Sequence, residues 1–303
     1  MKFTVLIFCV LIFFTGCSKD NDKEKIETAL QQINSKDTSG ALETLNFLIG
    51  QNPKNADAYN ARGVVYYQQN RLIEAMEDFN TAVNIDSTHI EVYTNRGNLF
   101  MVMNAYENAL IDYTKAINLN PKDGLGYYNR GTCYYNLKKY DNAIKDLTES
   151  ISLMPDYPSS YYNRGNIYLV TGRYKEAIND FTKAIELNKG HFQSYINRAI
   201  AYNNTGEYDK AINDCTEAIK INPNIDKAYI SRAQAYYSKE LYLKAIEDYS
   251  TAIRLDPNSA VSYYERGRCY HMLKEPDKAC SDLIVARNYR FEGAQKLIEQ
   301  ICK

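Results

Sequence analysis

Residues 127–131 read YYNRG, and thirty-four residues later, at 161–165, the chain reads YYNRG again. Set against itself at that offset, the chain gives seven ungapped copies, beginning at Ala56, Ile90, Gly124, Pro158, Phe192, Asp226 and Ala260. Position four is always tyrosine: Tyr59, Tyr93, Tyr127, Tyr161, Tyr195, Tyr229 and Tyr263. Position eight is glycine or alanine, position eleven is tyrosine except at Phe100, and position twenty is alanine from Ala75 to Ala279. Position twenty-seven is alanine except at Ser150, and Pro121, Pro155, Pro223 and Pro257 fall at position thirty-two.

These spacings have a physical reading. Positions four, eight and eleven share one helical face, as do twenty, twenty-four and twenty-seven. Small residues at eight and twenty let two helices approach, while bulky residues beside them fill the flanks. Gly172 and Gly206 stand where the first helix of a copy should end in a left-handed residue. Proline at thirty-two stops the second helix, because the residue before a proline is pushed out of the α region.

The length and the signature positions resemble the tetratricopeptide repeat, over residues 56–291. The resemblance implies an all-α fold, a right-handed α-solenoid of about eight helix pairs plus a C-terminal capping helix. The seven copies fill 56–291. A degenerate N-terminal copy is expected at 25–55, where Ala41, Leu45 and Pro53 keep the phase. The capping helix is expected at 292–303, where Ala294, Leu297, Ile298 and Ile301 form an apolar stripe.

Position seven carries a charge where the repeat family usually has leucine: Arg62, Arg96, Arg130, Arg164, Arg198, Arg232 and Arg266. Position twenty-three answers it with Asp78, Asp112, Asp146, Asp180, Asp214, Asp248 and Asp282. The expectation is a structural ladder of arginine–aspartate pairs, within a copy or between neighbours. Matching aspartates would neutralise any acidic-ligand site made by the arginines.

Position six offers a different chemistry. Asn95, Asn129, Asn163 and Asn197 occupy it in four consecutive copies, although asparagine is a mediocre helix residue. An amide both donates and accepts, so it can pair with a peptide backbone whatever the side chains. The run resembles the asparagine ladder in the repeat domain of O-GlcNAc transferase, which holds extended peptides. Tyr128, Tyr162, Asn98, Asn166 and Asn136 stand at nearby groove positions. The other readings are a solvated polar face, a glycan site with stacking tyrosines, and a structural spacer. The carboxylate clamp of chaperone-binding relatives is not matched, since Lys227 is followed by Ser231 at position six.

The N-terminus reads MKFTVLIFCVLIFFTGCSKDNDKE. Its apolar stretch, Phe3 to Phe14, would span roughly 18 Å as a helix, too short for a hydrocarbon core of about 30 Å. It therefore reads as a secretory signal, residues 1–16. Phe14-Thr15-Gly16-Cys17 resembles a bacterial lipobox, which implies that Cys17 is acylated and becomes the mature N-terminus. Acyl chains there would anchor the protein to a membrane of the bacterial envelope. By resemblance to enteric lipoproteins, Ser18 implies outer-membrane sorting. Residues 17–24 are expected to form a flexible tether.

Composition narrows the remaining options. A formal net charge of −1 provides no basic field for nucleic acid. His89, His191 and His271 have no metal-ligand or triad spacing, so no metal, cofactor or enzymatic activity is expected. Of Cys133, Cys215, Cys269, Cys280 and Cys302, most sit at small or apolar repeat positions, and Cys269 and Cys280 are a candidate pair.

Overall fold

The computed structural model describes residues 20–35 and 37–302. The signal segment and Cys17 lie outside the described residues. Among the described residues there are 17 helices and no strand. The chain separates into two compact units, one ending at Cys133 and one beginning at Tyr134.

The first unit holds α1 (Asp20–Asn34), α2 (Thr38–Gln51), α3 (Ala56–Gln68), α4 (Leu72–Ile85), α5 (Ile90–Val102) and α6 (Tyr106–Leu119). The boundary falls inside α7 (Gly124–Asn136). The second unit continues with α8 (Tyr140–Leu153), α9 (Pro158–Val170), α10 (Tyr174–Leu187), α11 (Phe192–Thr205) and α12 (Tyr208–Ile221). It ends with α13 (Asp226–Ser238), α14 (Tyr242–Leu255), α15 (Ala260–Met272), α16 (Pro276–Asn288) and α17 (Ala294–Ile301). From α3 to α16, odd-numbered helices are the first helices of the copies and even-numbered ones the second, an all-α solenoid architecture.

Turn chemistry repeats with the same period. Position fifteen is left-handed in all seven copies: Asn70, Asn104, Lys138, Gly172, Gly206, Glu240 and Lys274. In the copy of α9 and α10, Gly172 N–H donates to the Leu169 carbonyl and Arg173 N–H to the Tyr168 carbonyl. These are the two bonds of a Schellman ending, which satisfies carbonyls that the helix leaves over. Only two of the seven positions use the glycine that the geometry favours.

Close approach of the two helices depends on position eight. A Cβ added at Gly97 would lie 2.7 Å from the Tyr113 ring, and one at Gly165 would lie 2.9 Å from the Phe181 ring. Tyr113 and Phe181 are fully buried at position twenty-four, so the missing side chain is replaced by an aromatic from the partner helix.

The arginines at position seven tie three helices together. Arg62, Arg96, Arg164, Arg198, Arg232 and Arg266 each reach the aspartate of their own copy through Nε and Nη2, at 2.7–2.8 Å per bond. Arg130 and Asp146 stand in different units. The remaining nitrogen, Nη1, donates to position twenty-five of the preceding copy. Its acceptors are Asn46, Asn80, Thr114, Thr148, Thr182, Thr216 and Ser250, at 2.7–3.2 Å. One guanidinium thus bonds within a copy and across the junction to its neighbour.

Electrostatics agrees with the geometry. The bond to Asp248 holds the Arg232 guanidinium above its ordinary pKa against the opposing effect of burial. Burial pushes the carboxyls of Asp214 and Asp248 upward, and their arginines only partly offset it. Such a carboxylate depends on its partner.

Two expectations are corrected. Asp20–Glu24, read as part of the tether, is helical as the start of α1. Ala29 and Ile33 further along α1 are buried against α2 and α3, and acidic residues suit the positive end of a helix dipole. Cys280 is disulfide-bonded to Cys302, not to Cys269. Cys269 points from α15 into the core against Ala233, Ala245 and Tyr249, whereas Cys280 on α16 faces the chain end beyond α17.

Arg198→Leu should destabilise the protein by roughly 3–5 kcal/mol, because it strands the Asp214 carboxylate in a buried site. Arg198→Met combined with Asp214→Leu should recover most of that loss. Urea midpoints of the three proteins check both, and a full-strength Arg198→Leu variant would contradict the three-helix role.

The first-helix face as a candidate binding site

Among the described residues, first helices of neighbouring copies pack on one another at α1 and α3, α3 and α5, α9 and α11, and α11 and α13, and no pair of successive second helices packs to a comparable extent. In these copies the first helices therefore lie closer together than the second helices, so their outward faces form the inner side of the stack.

Position six lies on this face and all four asparagines are half-buried, with Asn95 and Asn129 in the first unit and Asn163 and Asn197 in the second. Asn95 Nδ2 donates to Asn60 Oδ1 on the preceding first helix at 3.0 Å. Asn197 Nδ2 donates to Asn166 Oδ1 at 2.7 Å and to Tyr162 Oη at 3.4 Å, bridging α11 to α9. Asn98 Oδ1 accepts from Tyr113 Oη at 2.7 Å. Tyr128 and Asn136 are half-buried on α7. The structure thus brings Tyr162, Asn166 and Asn197 into one network. Their amides are partly engaged with each other, which orients the remaining donor and acceptor positions.

The ring of Tyr162 is not a free platform. The His191 ring meets it edge-on at 4.7 Å between centroids, and Phe181 lies 6.0 Å away on a tilted plane. His191 Nδ1 is 2.7 Å from Ser194 Oγ, and burial pulls its pKa below the ordinary histidine value. A neutral imidazole therefore braces the tyrosine. Farther along, Asn203 Nδ2 donates to the Ser231 carbonyl at 2.9 Å, joining α11 to α13.

In the first unit a second histidine makes a charged joint that sequence reasoning passed over. His89 Nε2 lies 2.8 Å from Asp57 Oδ1 on α3. Its Nδ1 lies 3.1 Å from Glu91 Oε2 on α5, an ion pair whose alignment falls short of a hydrogen bond. Burial opposes charging of the ring, but the two carboxylates outweigh it and raise the His89 pKa to about 9. The available signal was acidic residues at position two of adjacent copies, flanking a histidine at position thirty-four.

No group of three or more His, Cys, Asp or Glu side chains among the described residues is placed to hold a metal ion. Among the described residues no helix is long and apolar enough to cross a membrane.

A stack of two-helix copies defines a helical-repeat protein. Family models fix which one. The tetratricopeptide repeat model matches residues 90–123, 125–157, 158–191 and 192–225, and a related TPR repeat model matches 65–104 and 233–274. The chain is a tetratricopeptide-repeat protein. Its fold is similar to that of a tetratricopeptide repeat protein from Parabacteroides merdae, with a TM-score of 0.61 at 21% identity, over 82% of this chain and 99% of the other. It is also similar to the C-terminal part of a TPR repeat-containing protein from Cytophaga hutchinsonii, with a TM-score of 0.64 at 20% identity, over 79% and 98%. YrrB, described as a TPR protein with an unusual peptide-binding site, aligns with a TM-score of 0.53 at 23% identity, over 61% and 95%. No curated protein sequence matches the chain significantly.

The His89 joint has a defined pH signature. A histidine whose folded pKa is raised from 6.5 to about 9 adds stability that is complete below pH 6.5 and is lost as pH rises through 9. Both carboxylates are more than half exposed, so solvent screening limits the effect to about 1–2 kcal/mol. Urea midpoints should fall between pH 6.5 and 9.5, and His89→Gln should flatten the difference.

Proposed function

We propose that the protein is a lipid-anchored, non-enzymatic scaffold of the bacterial outer membrane that holds an extended segment of a partner protein along its first-helix face. The observation that carries the binding reading is the network of Tyr162, Asn166 and Asn197. Half-buried amides, oriented by one another on the inner side of the stack, present paired donors and acceptors of the kind a peptide backbone needs. The unusual peptide-binding site of YrrB, a relative in fold, supports the same reading.

Anchoring rests on the lipobox-like tetrad ending at Cys17. A disulfide between Cys280 and Cys302 suits a protein exported to an oxidising compartment. The glycan reading is less well supported, because stacking on sugar needs open tyrosine faces. Tyr162 is braced by His191 and Phe181, and Tyr264 is stacked against Phe291 at 4.5 Å.

Two experiments test the two halves of this reading. The full-length protein and a variant with Asn95, Asn129, Asn163 and Asn197 all changed to alanine are first matched for fold and melting. Each is then cross-linked in envelope extract; the variant should lose a partner that the unaltered protein retains, and equal retention would remove these amides from the binding site. Separately, Cys17→Ser should shift the protein from the membrane to the soluble fraction. Unchanged membrane association would refute the lipid anchor.

A further inference from the structure

Five cysteines lie beyond Cys17, and the structure sorts them into two kinds. Cys133, Cys215 and Cys269 are fully buried. Cys133 Sγ donates to the Tyr106 carbonyl at 3.1 Å, and burial pushes the Cys215 thiol well up and the Cys269 thiol up to about 12. The thiolate is the reactive species, so the raised thiols of Cys215 and Cys269 and the full enclosure of all three sulfurs keep them unreactive while the protein is folded. Cys280 and Cys302 are joined, half-exposed, and placed at the C-terminal edge of the second unit.

The bond spans a short, weakly held element. Helix α17 has 8 residues, below the length at which a helix persists unaided in water. Of its apolar stripe only Ala294 is fully buried, while Leu297, Ile298 and Ile301 are half-covered. Its docking has two further supports. Phe291 stacks on Tyr264 of α15, and the disulfide links α16 to the residue just after α17 across a separation of 22 residues.

We propose that Cys280–Cys302 is a thiol–disulfide exchange site for dithiol reductants, and that its state sets whether α17 covers the last helix pair. A thiolate of the dithiol attacks one sulfur of the pair, forming a mixed disulfide and releasing the other sulfur as a thiolate that takes up a proton. The second thiol of the reductant then attacks the mixed disulfide. It leaves as a cyclic disulfide, and the second cysteine leaves as a thiol, so two electrons have passed from the dithiol to the protein. With the bond closed, α17 is confined to its site. With it open, α17 depends on a half-covered apolar stripe and one ring stack, and the outer surface of α15 and α16 becomes available.

The test uses the purified full-length protein and dithiothreitol under native conditions. Peptide mapping after alkylation should show Cys280 and Cys302 modified while Cys133, Cys215 and Cys269 stay protected. Amide hydrogen exchange across residues 294–301 should accelerate by at least about tenfold on reduction, with the interiors of α15 and α16 unchanged. The double variant Cys280→Ser/Cys302→Ser should exchange fast from the start and ignore dithiothreitol. If that variant does not fold, the titration of the unaltered protein reads the same quantity. A pair that resists reduction until the whole protein unfolds, or equal exchange of α17 in both states, would overturn the proposal.

Discussion

The guanidinium at position seven is the constraint around which each copy is arranged. An arginine enclosed by helices needs its donors satisfied, and here two go to the aspartate of the same copy and one to the preceding copy. The first contact fixes how the two helices of a copy meet. The second fixes where the next copy begins, because Nη1 must find an oxygen on the helix before it. The buried side chain at position twenty-four, aromatic in Phe79, Tyr113, Phe181 and Tyr249, and the small residue at position eight then set the spacing at which these bonds can form. An apolar residue at position seven would pack, but it would not define the junction with the same directional bonds.

Much of this was legible in the sequence, for reasons particular to repeats. Seven copies of one solution expose what each position needs: tyrosine at four, alanine at twenty, and arginine matched with aspartate from Arg62–Asp78 to Arg266–Asp282. The third partner escaped because position twenty-five varies in identity, from Asn46 through Thr148 to Ser250, while keeping only a side-chain oxygen. Its signal is chemical, not literal. The start of α1 was missed because charged residues resemble a tether until an apolar face downstream gives the helix something to pack on. Cys280–Cys302 was missed because pairing at the chain end depends on how α17 folds back, which no spacing within the repeat encodes.

The candidate site was less legible than the fold. Position six announced its amides, but not that Asn197 would spend a donor on Asn166 or that His191 would brace Tyr162. The Asn197–Asn166 bond joins adjacent copies and His191 stands at the junction between them, so both depend on the offset between first helices, which the arginine bonds set. Site and scaffold are therefore coupled: changes at the junction also alter the geometry of the inner face.

The direction of the junction bond also bears on how such an array changes length. Every internal copy donates backward from position seven and offers an oxygen forward at position twenty-five, so a whole copy can be duplicated or excised and the new neighbours still match. The two ends show this bookkeeping being relaxed. The N-terminal copy has Thr28 and Thr44 where the others have arginine and aspartate, yet it keeps Asn46, the one group its successor requires. The copy that begins at Ala260 has Ile284 at position twenty-five, exposed and apolar, and the next position seven is Gln300, not arginine. Growth by units of thirty-four residues thus supplies each added arginine with a counterpart on either side of the new junction.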